Sequence, residues 1–108
     1  MTIFMTQAKL TPEAFKGLAA GATDRREVLN DMMEQLGGRL IGYYFSFGES
    51  DIVVIFEGPS PEAVLSVLVA AAGSGTMSDV RTTVMVSYED GIEAIKKSGS
   101  INYIPPGR

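Results

Sequence analysis

Residues 40–47 read LIGYYFSF and residues 52–56 read IVVIF, and the short polar segment GESD lies between them at residues 48–51. Both runs are rich in the aromatic and branched side chains that favour strands. A glycine in a short polar connection between two such runs is typical of a β-hairpin. The sequence therefore predicts two adjacent antiparallel strands joined by a loop of about three to five residues.

Similar helix signals lie on both sides of this hairpin. Residues 11–14 read TPEA and residues 60–63 read SPEA, so each segment places a hydroxyl before a proline at the first helical position. We expect a helix after each signal. The first is interrupted and capped again at residues 21–24, and the glycine pair at residues 37–38 ends it.

The two ends of the chain supply the remaining elements. Residues 2–8 and 80–88 are β-prone and predict a first and a fourth strand, and residues 89–97 favour a short last helix. The order of strands and main helices is then β-α-β-β-α-β. This order is that of the ferredoxin-like α+β fold, in which two helices cover one face of a four-stranded antiparallel sheet.

The length of 108 residues, 45% of them hydrophobic, predicts a single domain with one core. We place that domain at residues 1–97. Residues 98–108 contain two prolines and two glycines and predict an irregular C-terminal tail.

The central strands are apolar on both faces. The second strand alternates between Ile41, Tyr43, Phe45 and Phe47 on one face and Leu40, Gly42 and Tyr44 on the other, and the third is apolar throughout. Two helices hide only one face of a sheet, so the simplest cover for the other is a second copy of the chain. We expect a homodimer or a larger homo-oligomer, with Phe45 at the interface.

The composition excludes several classes of chemistry. The chain has no cysteine and no histidine, which removes disulfides, thiol nucleophiles, imidazole bases and the usual zinc and haem sites. The acidic residues are scattered, so no metal and no cofactor is expected. A net charge of -4 argues against nucleic-acid and anionic-membrane partners, and no apolar run is long enough to span a bilayer. A cytoplasmic location is the expectation.

Four segments together resemble the GYD domain family, whose members are grouped with the dimeric α+β barrels. They are residues 36–38 (LGG), 42–44 (GYY), 48–53 (GESDIV) and 80–83 (VRTT), within a resemblance that covers residues 2–97. The family's loop typically reads Gly-Glu-Tyr-Asp, so Gly48 and Asp51 match, whereas Ser50 replaces the tyrosine, whose role does not carry over. The resemblance implies the ferredoxin-like fold, self-association and a cleft beside the sheet. The family's biochemical function is not established.

Four residues are candidates for binding a ligand: Tyr43, Tyr44, Asp51 and Arg81. Tyr43 and Tyr44 point to opposite faces, so at least one phenol should meet the interior and need a polar partner. Arg81 suits either an ion pair or the carboxylate of a ligand. The two loop residues Gly48 and Asp51 also suit structural roles. Gly48 suits a turn, and the carboxylate of Asp51 suits an acceptor for backbone N–H groups.

Three classes of function remain open. The first is a homo-oligomeric module that binds or senses a small organic molecule in a cleft with aromatic walls. The second is a cofactor-independent isomerase or oxygenase in which Asp51, Glu57 or a tyrosine acts as acid or base. The third is a purely structural assembly unit.

Overall fold

The computed structural model describes residues 1–21 and 23–107 of the chain. Its elements are β1 (Thr2–Leu10), α1 (Pro12–Ala19), α2 (Arg25–Gln35), β2 (Arg39–Phe45), β3 (Ile52–Gly58), α3 (Pro61–Gly73), β4 (Met77–Met85) and α4 (Tyr88–Ser98). The strands form one antiparallel sheet in the order β2-β3-β1-β4. The ferredoxin-like α+β fold predicted from the sequence is confirmed.

The helix signals read from the sequence act as caps. The Thr11 hydroxyl accepts from the N–H of Ala14 at 3.3 Å, and the Ser60 hydroxyl accepts from the N–H of Ala63 at 3.2 Å. The predicted interruption of the first helix is confirmed, because α1 and α2 are separate helices and Asp24 caps α2. Ala22, within the predicted interruption, lies outside the described residues.

Two predicted boundaries are wrong. The strand expected at residues 80–88 is β4 at Met77–Met85, because Ser87 instead caps α4 through the N–H of Asp90. The connection between β2 and β3 runs over residues 46–51, one residue longer than expected. Hydrogen bonds close this longer loop, since Ser46 donates its N–H to the carbonyl of Asp51 at 2.9 Å.

The hydrophobic core lies between the sheet and helices α2 and α3. Its buried apolar residues are Phe4, Ala8, Met33, Ile52, Val54, Phe56 and Val64. The even-numbered residues of β1 and β3 face the helices, and the rings of Phe4 and Phe56 stack with centroids 5.6 Å apart. This face of the sheet is the helix side.

A β-bulge in β2 decides which of its residues face the helices. Leu40 pairs with Phe56 but Gly42 pairs with Ile55, so the register shifts between them. Tyr43 and Phe45 therefore lie on the helix side, where their rings are 5.7 Å apart, and Tyr44 lies on the opposite face. The expectation that Phe45 lies on the face of the sheet left open by the helices is wrong. The bulge adds one residue to β2 and thereby changes the alternation along the strand.

The opposite side of the sheet is the open face, formed by the side chains that alternate with the core residues. Its apolar centre comprises Ile3, Met5, Val53, Ile55 and Met85. Tyr44 lies over Gly42 beside this centre, and the ion pair of Arg39 with Glu57 (3.1 Å) lies on the same face. The core residues contributed by α2 and α3 all belong to the helix side.

The C-terminal part of the chain stands apart from the core. α4 contributes no buried residue, and residues 99–107 contain no helix or strand. Ile101, Tyr103 and Ile104 are all exposed. The radius of gyration is 17.4 Å, whereas a compact domain of this length has about 13 Å. Among the helices of residues 1–21 and 23–107, none has the length and apolar composition needed to cross a bilayer.

Candidate functional site

A cavity of about 530 Å³ lies between the helix side of the sheet and helices α1, α2 and α3. We call it the helix-side cavity, and its apolar walls include Leu10, Leu29, Val54, Leu68 and Ala71. It exists because α1 covers the sheet without contributing a buried residue of its own. Ala14 and Gly17 of α1 line the space, and neither residue has a side chain large enough to fill it.

Tyr43 is the aromatic residue of the cavity wall. The β2 bulge turns its ring to the helix side, where the ring packs against the core and also borders a shallower pocket shared with Phe45. Burial raises the pKa of the Tyr43 phenol, and the charge of Arg25 acts on that pKa in the opposite direction. The phenol therefore stays protonated at neutral pH and can donate a hydrogen bond.

Arg25 lies beside Tyr43 at one end of the cavity and lines both pockets. It is the first residue of α2, and Asp24 caps that helix by accepting from the N–H of Arg26 at 2.9 Å. The cap fixes where α2 begins and hence where Arg25 is placed. Nothing in the local pattern distinguishes Arg25 from Arg26, so sequence reasoning missed it as a site residue.

Among the other polar groups of the cavity, Thr23 lines both pockets with Arg25, and the rest lie near the start of α1 or are already paired. Glu13, Ser74 and Thr76 line it near the start of α1. Thr6 is buried on the helix side and shares a 2.8 Å hydrogen bond with the hydroxyl of Thr82. The cavity thus combines apolar walls with a basic and an acidic end.

Asp51 lies outside the cavity, in the loop between β2 and β3. One of its carboxylate oxygens accepts from the N–H of Leu10 at 2.8 Å, and its own N–H donates to the carbonyl of Ala8 at 2.9 Å. Both contacts join the loop to the end of β1. The structural reading of Asp51, a carboxylate that accepts from the backbone, is the one that the geometry fits.

Replacement of Asp51 tests that reading. Asp51→Ala leaves the N–H of Leu10 without its acceptor, so we expect the free energy of unfolding to fall by about 1–2 kcal/mol. Asp51→Asn keeps an acceptor oxygen at the same place and should lose clearly less stability. Urea unfolding of both variants measures the difference, and equal losses would contradict a role as acceptor.

Arg81 also contacts this loop. Its guanidinium lies 3.5 Å from a carboxylate oxygen of Glu49 and donates to the hydroxyl of Ser50 at 3.4 Å. Ser50, at the position of the family's tyrosine, is 5% exposed. Arg81 thus forms an ion pair, one of its two predicted roles, and the other role, as an anchor for a ligand, stays a prediction.

Tyr44 and Gly48 stand apart from the other candidates. Tyr44 is on the open face, separated from Arg81 by strands β3 and β1. Gly48 has no positive φ, and a Cβ at this position would meet no atom within 4 Å. The turn role predicted for Gly48 is therefore not required by its backbone. Of the candidates read from the sequence, only Tyr43 lines the helix-side cavity.

Comparison with known proteins identifies the family of this chain. A family model described as the GYD domain matches residues 4–95, which is most of the chain. The chain belongs to the GYD domain family. A solved structure similar to this GYD-domain protein is an X-ray crystal structure of a protein from Agrobacterium tumefaciens, with 15% identity and a TM-score of 0.46, over 80% of this chain and 92% of that one. A search of curated proteins found no match.

In this GYD-domain protein the family motif, residues 48–51, holds the loop between β2 and β3 in place and does not line the cavity. Glu49 pairs with Arg81, Ser50 is buried and Asp51 accepts from Leu10, so the segment from residue 48 to 51 is tied to β1 and β4. Glu57, the other carboxylate considered for acid–base chemistry, pairs with Arg39 on the open face. Within residues 1–21 and 23–107, no cluster of three acidic groups could hold a metal ion.

Proposed function

We propose that this GYD-domain protein is a homo-oligomeric binding module that holds one small, mainly apolar molecule in the helix-side cavity. The cavity itself is the observation that carries the proposal. Its volume of about 530 Å³ is in the range of small-molecule sites, about 300–1,000 Å³, and apolar walls with few polar groups are typical of such sites.

The two carboxylates considered for acid–base chemistry lie outside the cavity, although Glu13 and Tyr43 line it. A cofactor-independent enzyme needs an acid or base within reach of its substrate. Asp51 and Glu57 both lie outside the cavity and already have partners, the N–H of Leu10 and the guanidinium of Arg39. A purely structural unit would not need an apolar cavity beneath α1. We therefore place a binding module ahead of both alternatives.

We further propose that two copies pair through the open face. Isoleucine, methionine and valine side chains form its centre, and no core residue of α2 or α3 covers them. Two such sheets packed about 10 Å apart would bury these side chains. The chain has no cysteine and therefore needs no oxidising compartment to form disulfides, so we propose a cytoplasmic location.

Filling the cavity should abolish binding. The neutral fluorophore N-phenyl-1-naphthylamine is a suitable apolar probe, because its emission rises when it leaves water. We expect it to bind the wild-type protein and to bind Ala14→Phe at least about tenfold more weakly, a loss of about 1.4 kcal/mol, because the new ring occupies the cavity. Fluorescence titration gives both affinities.

Ala19→Phe is the matched control. Ala19 is an exposed residue of the same helix and is not among the described residues that line the cavity. This variant should bind the probe as the wild type does. If the two phenylalanine variants lose affinity equally, or if neither does, the helix-side cavity is not the binding site.

A further inference from the structure

The helix-side cavity carries an unbalanced positive charge at one end. Arg25 lines that end, and no ion pair within residues 1–21 and 23–107 includes its guanidinium. The neighbouring carboxylate, Asp24, is already engaged, because two hydrogen bonds of 3.2 and 2.9 Å join it to the side chain of Arg26. The charge of Arg25 is therefore available to a ligand.

A second donor lies next to this charge. The Tyr43 hydroxyl forms no hydrogen bond within the described part of the chain. Since no buried side-chain polar atom there lacks a partner, this hydroxyl is open to solvent, although its ring is half-buried against the core. Arg25 and Tyr43 both line the cavity and the shallower pocket beside it, so the two groups face the same space. The protonated phenol adds one O–H donor to the paired N–H groups of the guanidinium.

We propose, resting on the proposed function, that the ligand is a small monocarboxylate with an apolar body. Its carboxylate binds Arg25 and Tyr43, and its body lies among the apolar walls formed by Leu29, Val54 and Leu68. A planar guanidinium matches the two oxygens of a carboxylate. One arginine balances a single negative charge, whereas a doubly charged phosphate would remain partly unpaired. A protonated amine could pair only with Glu13 and would leave the donors of Arg25 and Tyr43 unused.

The charge at the other end of the cavity fixes the orientation of this ligand. Glu13 is near the start of α1, and Arg25 follows the end of that helix. No ion pair within residues 1–21 and 23–107 joins Glu13 to Arg25. A carboxylate is attracted to the Arg25 end and repelled from the Glu13 end. The apolar body therefore points toward Glu13.

Competition between two ligands of equal length tests the inference. Octanoate and octanol each displace N-phenyl-1-naphthylamine from the wild-type protein in a fluorescence titration, and octanoate should do so at about tenfold lower concentration, because charged hydrogen bonds are the stronger ones. Arg25→Gln should remove this advantage of octanoate over octanol. Tyr43→Phe should remove part of it.

Arg26→Gln is the matched control, because Arg26 is the next residue of α2 and pairs with Asp24. It should retain the full preference for octanoate. The inference is overturned if the wild type binds the probe but does not distinguish octanoate from octanol, or if Arg25→Gln and Arg26→Gln behave alike. In either case probe binding persists, so the proposed function stands. If the wild type does not bind the probe, the proposed function fails, and the inference fails with it.

Discussion

Ile55→Glu should convert the paired protein into a folded monomer. Ile55 lies at the centre of the open face, opposite Met5 of β1. In the proposed dimer the new carboxylate would be buried between two sheets without a partner, which costs several kcal/mol, so we expect dissociation to begin at protein concentrations at least about a hundredfold higher. Light scattering across a dilution series measures this shift.

The Ile55→Glu monomer should stay folded, because the open face of a single copy is in contact with water. Phe45→Glu is the matched control on the same sheet. Phe45 is 64% exposed and lies on the helix side, so this variant should remain paired. Pairing through the open face is contradicted if the wild-type protein is monomeric at micromolar concentration. It is also contradicted if Phe45→Glu dissociates while Ile55→Glu does not.

Gly38→Ala should destabilise the fold strongly. Gly38 lies between α2 and β2, and a Cβ there would collide with the backbone carbonyl of Glu57 on β3. A backbone atom of a central strand cannot move aside as a flexible side chain can. We expect a loss of about 3 kcal/mol in the free energy of unfolding, measured by urea denaturation.

Gly48→Ala is the control for this loss. Gly48 also flanks β2, but its Cβ would meet open space and its φ is not positive. We expect its stability to stay within about 0.5 kcal/mol of wild type, the usual range for a surface substitution. Similar losses for both variants would contradict the view that close approach of the backbone selects glycine only at residue 38.

Local patterns in the sequence determined the elements and their order. The hydroxyl-proline pairs at residues 11–12 and 60–61 mark helix starts because capping acts within one turn of backbone. The apolar runs at residues 40–47 and 52–56 mark neighbouring strands because strand preference is set by side-chain shape. Residues 4–95 belong to the GYD family, as the motif read from the sequence indicated.

Only the tertiary structure decided which residues share a face and a cavity. The bulge in β2 depends on pairing with β3, so alternation along the sequence grouped Leu40 with Gly42 and Tyr44, although Leu40 lies on the helix side. The contacts of Asp51 with Leu10 and of Arg81 with Glu49 join residues that are distant in sequence. Arg25 looks ordinary until α2 brings it to Tyr43. Such contacts join residues far apart in the chain, and no local pattern records them.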